Sequence, residues 1–228
     1  GAMITTTPGI RNVKEGGDSG QFQIAPSNGS ECGYFTPGFT MNMFARLQGS
    51  KQPTQLEVEE IFDGNICRCT GYRPIIDAGL DMVRTAEGNQ FVEFMSKNDS
   101  IKSQLSALKE TDCFESQNYA SYLQPTTLAE LLDAKMAHTD GVMIAGGMVL
   151  MLENTQHFHD FGTLIEESHV AELRQIQDNG SALSLGASVT YSELENFSKT
   201  RYPHIYNLLS RIASRQIRNR GTIGGNVA

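Results

Sequence analysis

Polar and small residues fill positions 4–30, where Gly, Ser, Thr and Asn recur without a sustained apolar period, and this stretch reads as a lead-in arm. From Thr36 the pattern turns helical. Thr36 is the expected N-cap and Pro37 the first helical residue, with Phe39, Met43 and Leu47 at four-residue spacing until Gly49 stops the run. Thr54 and Glu57 form a capping box ahead of Leu56, Ile61 and Phe62, which Gly64 closes. Pro74 opens a third helix with Ile75, Ile76, Leu80 and Val83 on its inner side, and Gln90 to Ser96 predicts a short fourth. Residues 31–96 are therefore expected to form a compact helical domain with cysteines at helix ends.

Residues 97–118 read as a polar linker, with one helical turn around Leu105 and Leu108. The texture then changes. Thr127 and Glu130 cap a helix through Leu131, Leu132 and Met136. The apolar run Val142 to Ala145, ended by Gly146-Gly147, predicts a buried strand and a tight turn. Ala182 to Val189 alternates as a strand, Thr190 and Glu193 cap a further helix, and Ile205 to Ile212 is helical again. The fold class is α+β, a helical domain followed at 119–228 by a mixed α/β domain.

Composition narrows the partners. A net charge of −8 over 228 residues argues against a nucleic-acid groove, which needs clustered Lys and Arg. The longest nearly apolar stretch, Gly141 to Leu152, is well short of the ~18–20 residues of a membrane helix. No charged-then-apolar leader is visible and Gly1-Ala2-Met3 has the look of a protease-cleavage remnant, so a soluble cytoplasmic protein is expected. The four cysteines are too few for a secreted disulfide scaffold. Cys67 and Cys69, one residue apart, suit two ligands of one metal centre better than a mutual disulfide, with structural thiols as the other reading.

Two cysteine segments carry a resemblance. Glu31-Cys-Gly-Tyr-Phe-Thr-Pro-Gly38 and Asn65-Ile-Cys-Arg-Cys-Thr-Gly-Tyr-Arg-Pro74 resemble the helical [2Fe–2S] domain of the molybdenum hydroxylases, the family of xanthine dehydrogenase and aldehyde oxidase. Met143-Ile-Ala-Gly-Gly-Met-Val-Leu150 and Ser214 to Asn226 resemble the two flavin loops of the associated FAD-binding domain. The resemblance implies cluster ligands at Cys32, Cys67 and Cys69, and FAD contacts at Ala145, Gly146, Gly147, Met148, Thr222, Gly224, Gly225 and Asn226. It further implies an electron-transfer role, with a molybdenum-binding subunit as partner and NAD as acceptor in the complete enzyme. Both domains on one chain favour the xanthine dehydrogenase arrangement over that of carbon monoxide dehydrogenase.

Several positions depart from the family pattern. Phe35 stands where the fourth cluster cysteine is expected, and a phenyl ring has no lone pair to offer iron. The site is then either empty or held by three thiolates and a substitute, and a zinc module on the same cysteines is a further reading. Met148 replaces the usual Thr of the first flavin loop. The family's preceding ferredoxin-like domain and the later part of its flavin domain have no counterpart here, so an N-terminal fragment is expected, with a non-catalytic remnant or interaction module as the alternative.

Backbone N–H groups must approach a pyrophosphate closely, which is the physical use of Gly146-Gly147 and Gly224-Gly225. Arg211, Arg215, Arg218 and Arg220 either neutralise phosphate or form a solvated helix face. His157 and His159 read as loop histidines rather than as a metal pair on a strand, and Met143 to Met151 as core packing.

Overall fold

The computed structural model describes residues 6–7, 24–47, 54–85, 100–107, 113–114 and 121–228. The chain divides into two compact units, Gly1–Glu110 and Thr111–Ala228.

In the first unit, helices α1 (Thr36–Leu47), α2 (Gln55–Phe62) and α3 (Arg73–Thr85) enclose an apolar core. Phe39 and Met43 of α1, Val58 and Phe62 of α2, and Ile75 and Ala78 of α3 are buried together with Ile24 and Cys67. The rings of Phe39 and Phe62 meet edge to face at 5.2 Å, so Phe39→Ala would cost roughly 3–5 kcal/mol through lost burial and the cavity left behind. Gly79 lets α3 lie close to α2: a Cβ there would stand 2.9 Å from Val58 Cγ1. The Thr54–Glu57 capping box opens α2 as the sequence indicates. Leu56, expected in the apolar period, is exposed, because α2 turns Val58 and Phe62 inward instead. The fourth helix expected at Gln90 to Ser96, and the side chains of Leu47 and Val83, lie outside the described residues. Residues 100–106 are helical, within the stretch read as a linker.

The second unit is built on a four-stranded sheet of order β1-β2-β4-β3, with β1 Cys113–Phe114, β2 Ser121–Leu123, β3 Val142–Ile144 and β4 Thr163–Glu166. β4 lies parallel to both β2 and β3, with Tyr122 opposite Leu164 and Met143 opposite Ile165, while β1 runs antiparallel to β2. Parallel strands need crossovers, supplied by α4 (Leu128–Ala137) and α5 (Leu150–His157). Leu131 of α4 packs on Ile165 and Val170. Beyond a 3₁₀ turn at Ala171–Arg174, the antiparallel pair β5 (Ile176–Asp178) and β6 (Leu183–Leu185) is followed by α6 (Tyr191–Arg201), α7 (Pro203–Leu209), α8 (Arg215–Arg218) and α9 (Ile223–Val227). Their shared core is Val189, Leu194 and Leu209.

Several local expectations change. Leu132 and Met136 are exposed, because α4 presents only Leu131 and the half-buried Ala134 to the sheet. The run from Val142 forms an edge strand rather than a fully buried one, so Met143 is open to solvent, as is Met148 in the following turn. The methionine-rich stretch is therefore not core throughout. His157 ends α5 and His159 follows in a loop, so neither lies on a strand.

Capping boxes at Thr127–Glu130 and Thr190–Glu193 start α4 and α6. Thr127→Ala removes the acceptor for the Glu130 N–H and is expected to lower stability by about 1 kcal/mol, read as a shift of the urea midpoint with unchanged slope.

Candidate functional site

At the end of β3 the chain passes through Ala145 and Gly146 to Gly147, whose φ of +70° is left-handed, and then enters α5. The Glu167 N–H donates to the Ile144 carbonyl at 2.9 Å, and the Met151 N–H to the Gly147 carbonyl at 3.0 Å, which fixes the turn at both ends. The second glycine loop is held just as closely. The Gly221 carbonyl accepts from the Tyr191 N–H at 3.0 Å, the Ile223 N–H donates to the Val189 carbonyl at 2.9 Å, and the Gly224 N–H to the Ala187 carbonyl at 2.8 Å.

These two loops meet backbone to backbone. A Cβ on Gly146 would stand 1.9 Å from the Arg220 carbonyl oxygen, so only glycine permits the approach. Around the junction lies a cavity of about 200 Å³, lined by Ala145, Gly146, Glu166, His169, Arg220 and Thr222 among others. Of the eight residues expected to hold a flavin, Ala145, Gly146 and Thr222 line this cavity. Gly147 packs beside Ile144 and Met151, and Gly224 packs against Ala187. Met148, Gly225 and Asn226 are exposed. Thr222 is buried, and its Oγ1 accepts from the Gly225 N–H at 3.1 Å, capping α9 while its own proton stays available to donate.

Glu166, at the carboxyl end of the central strand, was not anticipated. It is buried, with Tyr122 Oη and Gln124 Nε2 both donating to Oε2, Ser168 Oγ donating to Oε1, and His169 Nε2 3.6 Å from Oε2. Burial pushes its carboxyl up, but the hydrogen bonds from Ser168, Tyr122 and Gln124 together outweigh burial and hold it below the usual Glu value. Burial, with the bond to Glu166, pushes the Tyr122 phenol up to about 12. A sequence signal did exist: the acidic pair Glu166-Glu167 ends an apolar strand, Leu164-Ile165.

Arg218 takes neither of the roles expected of the arginine group. It is buried, pairs with Glu195 at 3.2 Å, and donates to the Ile212 and Ala213 carbonyls at 3.0 and 2.9 Å. Arg220 is the member that reaches the cavity.

In the first unit, Cys32 and Cys69 are exposed and Cys67 is buried. Cys32 pushes the Cys69 thiol up, and the Cys67 sulfur lies 3.3 Å from Thr70 Oγ1. That hydroxyl, with backbone N–H bonds, lowers the Cys67 thiol against the opposing effect of burial. Phe35 lines the same small pocket as Cys32 and Cys67, with about 10 Å³ of free room, and stacks edge to face on Tyr34 at 5.1 Å. Three thiols and a phenyl ring are not the donor set of a [2Fe–2S] cluster, whose two irons take four protein ligands. Among the described residues, no group of three His, Cys, Asp or Glu side chains is placed to hold a metal ion. The residues present therefore do not fit a four-thiolate cluster.

A mostly parallel sheet with a glycine turn leading into a helix, meeting a second glycine loop at a polar cavity, leaves backbone groups close to a space that a phosphate could enter. The FAD binding domain in molybdopterin dehydrogenase matches residues 114–228, half of the chain, and a [2Fe-2S] binding domain matches residues 6–80. The chain belongs to the molybdenum hydroxylase family. Xanthine dehydrogenase of Drosophila subobscura is 28% identical over 275 residues, and that of Emericella nidulans 29% over 285, each covering all of this chain and 20% of the relative. Aldehyde oxidase 2 of Macaca fascicularis is 24% identical over 279 residues with the same coverage. The chain thus spans about a fifth of the length of these relatives. Among solved structures, carbon monoxide dehydrogenase from Hydrogenophaga pseudoflava is 28% identical, covering 50% of this chain and 40% of that one, with a TM-score of 0.44. Quinoline 2-oxidoreductase from Pseudomonas putida 86 is 28% identical, covering 50% and 41%, with a TM-score of 0.44. Among the described residues, no helix is long and apolar enough to cross a membrane.

The Glu166 cluster makes stability depend on acid. Because the folded carboxyl titrates below its unfolded value, its contribution is complete above the unfolded pKa of about 4.3 and is lost as pH falls through the folded value. Glu166→Gln is expected to flatten the acid limb of a pH–stability profile measured by urea unfolding. An unchanged limb would show that the cluster does not bear that load.

Proposed function

We propose that this chain is the flavin-side electron-transfer part of a molybdenum hydroxylase-type oxidoreductase of the xanthine dehydrogenase kind, acting in the cytoplasm. The observation that carries the reading is the contact between Gly146 and the Arg220 carbonyl, which brings both glycine loops to one cavity. We assign FAD to Ala145, Gly146, Gly147, Met148, Thr222, Gly224, Gly225 and Asn226, with Arg220 supplying the positive charge that a diphosphate needs. A cavity of about 200 Å³ has room for one portion of such a ligand, and the small residues at its rim let backbone groups come near. FAD, when bound, supplies chemistry that can take up and release one or two electrons. The protein's own part is to hold the ligand and to fix the loops. In the complete enzyme, substrate oxidation belongs to a molybdenum-binding partner subunit and NAD is the final acceptor.

The test is a titration of the 228-residue chain with FAD, followed by quenching of flavin fluorescence. Saturable one-to-one binding is expected. Gly146→Ala forces the two loops apart and should weaken binding at least about tenfold, equivalent to ~1.4 kcal/mol, with the circular dichroism spectrum retained. Equal affinity in the variant would remove the observation on which the assignment stands.

Phe35 favours a second reading for the first unit, as a remnant that keeps the fold of its domain without the cluster. Anaerobic reconstitution should leave the parent chain with sub-stoichiometric iron, whereas Phe35→Cys restores the fourth thiol and should approach two irons per chain. Full loading of the parent chain would refute this reading.

A further inference from the structure

The cavity beside the glycine loops is lined by charge of both signs, Glu166 and Arg220. Much of its remaining polar wall is committed to the protein. Arg174 pairs with Glu193, Thr190 Oγ1 donates to Glu193 Oε2 at 2.9 Å, and Ser188 Oγ donates to the Glu167 carbonyl at 3.3 Å. Arg220, by contrast, is exposed and has no ion pair among the described residues. Glu166 is only 6% exposed, and its two oxygens are unequally used. Tyr122 Oη and Gln124 Nε2 both donate to Oε2, and His169 Nε2 stands 3.6 Å from that same oxygen. Among the described residues, Oε1 accepts from Ser168 Oγ alone. A carboxylate oxygen accepts about two hydrogen bonds, so Oε1 keeps one acceptor position. Burial pushes the carboxyl up, but its hydrogen bonds hold it below the usual Glu value, so at neutral pH it is ionised and accepts without donating.

We propose that Glu166 is a specificity-determining residue of this cavity, its Oε1 accepting a hydrogen bond from a sugar hydroxyl of the ligand whose phosphate is drawn to Arg220. This rests on the flavin-side reading of the cavity and names the portion of the ligand that enters it. A carboxylate and a phosphate repel each other, so phosphate is turned away from Glu166 and towards the guanidinium. A hydroxyl carries the proton that Oε1 lacks, and its bond to an ionised oxygen is stronger than one between neutral groups. A ligand without that hydroxyl would close Oε1 off from water with its acceptor position empty, which costs more than the missing bond alone. A cavity of about 200 Å³ confines both recognised groups to one short stretch of ligand. Two stretches of FAD have this chemistry, the ribityl chain on the flavin side and the ribose on the adenine side.

The experiment measures, by titration calorimetry at neutral pH, the affinity of the 228-residue chain for two matched pairs of ligands. One pair is ADP and dideoxy-ADP, which lacks both ribose hydroxyls. The other is FMN and a flavin carrying an unhydroxylated pentyl phosphate chain. The parent chain is expected to favour the hydroxylated member of one pair by at least about tenfold, and the pair that discriminates tells whether ribose or ribityl lies at Glu166. Glu166→Gln keeps the size but gives up the charge and one acceptor oxygen, and should narrow that preference to within about threefold. Arg220→Gln should weaken both members alike and leave the preference in place. Failure of both pairs to bind, equal affinity within both pairs, or a preference that survives in Glu166→Gln would overturn the proposal. The first two are read on the parent chain and do not depend on how the variant folds. A parallel titration with FAD separates the two readings. FAD binding without a hydroxyl preference overturns the role of Glu166 alone, whereas a preference within the ADP pair without binding of FAD or FMN overturns the flavin reading alone.

Discussion

The second unit turns on one steric constraint, the approach of the Gly146 α-carbon to the Arg220 carbonyl, where any side chain would collide with backbone. Neither loop is positioned by this contact alone. The first is the exit of an edge strand paired to β4, and the second is held to the chain between β6 and α6 by a bridge from Thr190 to Thr222. Because each loop is anchored by its own hydrogen bonds, the contact joins two rigid pieces, and the cavity they enclose has defined walls. A larger residue at position 146 would have to move one anchored loop or the other, since the atoms it would meet are backbone and not a side chain that could yield.

Glu166 shows what holds the floor of that cavity. A buried carboxylate is costly unless its oxygens are bonded, and here the donors come from β2, from the segment after it and from the turn after β4. The same bonds that satisfy the charge also tie β2 to the central strand beyond the short backbone ladder of Ser121–Leu123. Charge satisfaction and strand alignment are therefore one arrangement, and Tyr122 keeps its proton up to about 12 because burial disfavours the phenolate and ionising it would set a second negative charge beside Glu166.

Features set by neighbouring residues were legible in the sequence. The capping boxes at Thr54, Thr127 and Thr190 each depend on a residue three positions ahead, and all three form. The first-unit core was partly readable, since Phe39, Met43 and Ile75 follow helical spacing, but Leu56, Leu132 and Met136 show that an apolar residue in a helical period need not face the core. β1 was hidden because two residues carry no period, and α5 because its polar Glu-Asn-Thr-Gln segment follows a glycine pair that reads as a turn. The Glu166 cluster lay beyond local reading altogether: its partners Tyr122 and Gln124 are 44 and 42 positions away, and only the parallel pairing of β2 with β4 brings them together. The glycine loops were found by motif, but their mutual contact needed the fold.

The cysteine site carries the same logic into the first unit. Cys32 and Cys67 border one pocket there because the turns before α1 and α3 are fixed by hydroxyl bonds and by the core around Cys67, none of which requires a metal. Such an end can lose a ligand without losing its shape. Replacing a fourth thiol by Phe35 costs little in folding, because the ring finds Tyr34 as a partner and stays partly in solvent at 41% exposure. The change falls almost entirely on chemistry, because a phenyl ring offers iron no lone pair where a thiolate would. Altering one donor on an unchanged scaffold therefore removes the four-ligand set while the fold itself gives no sign of the difference.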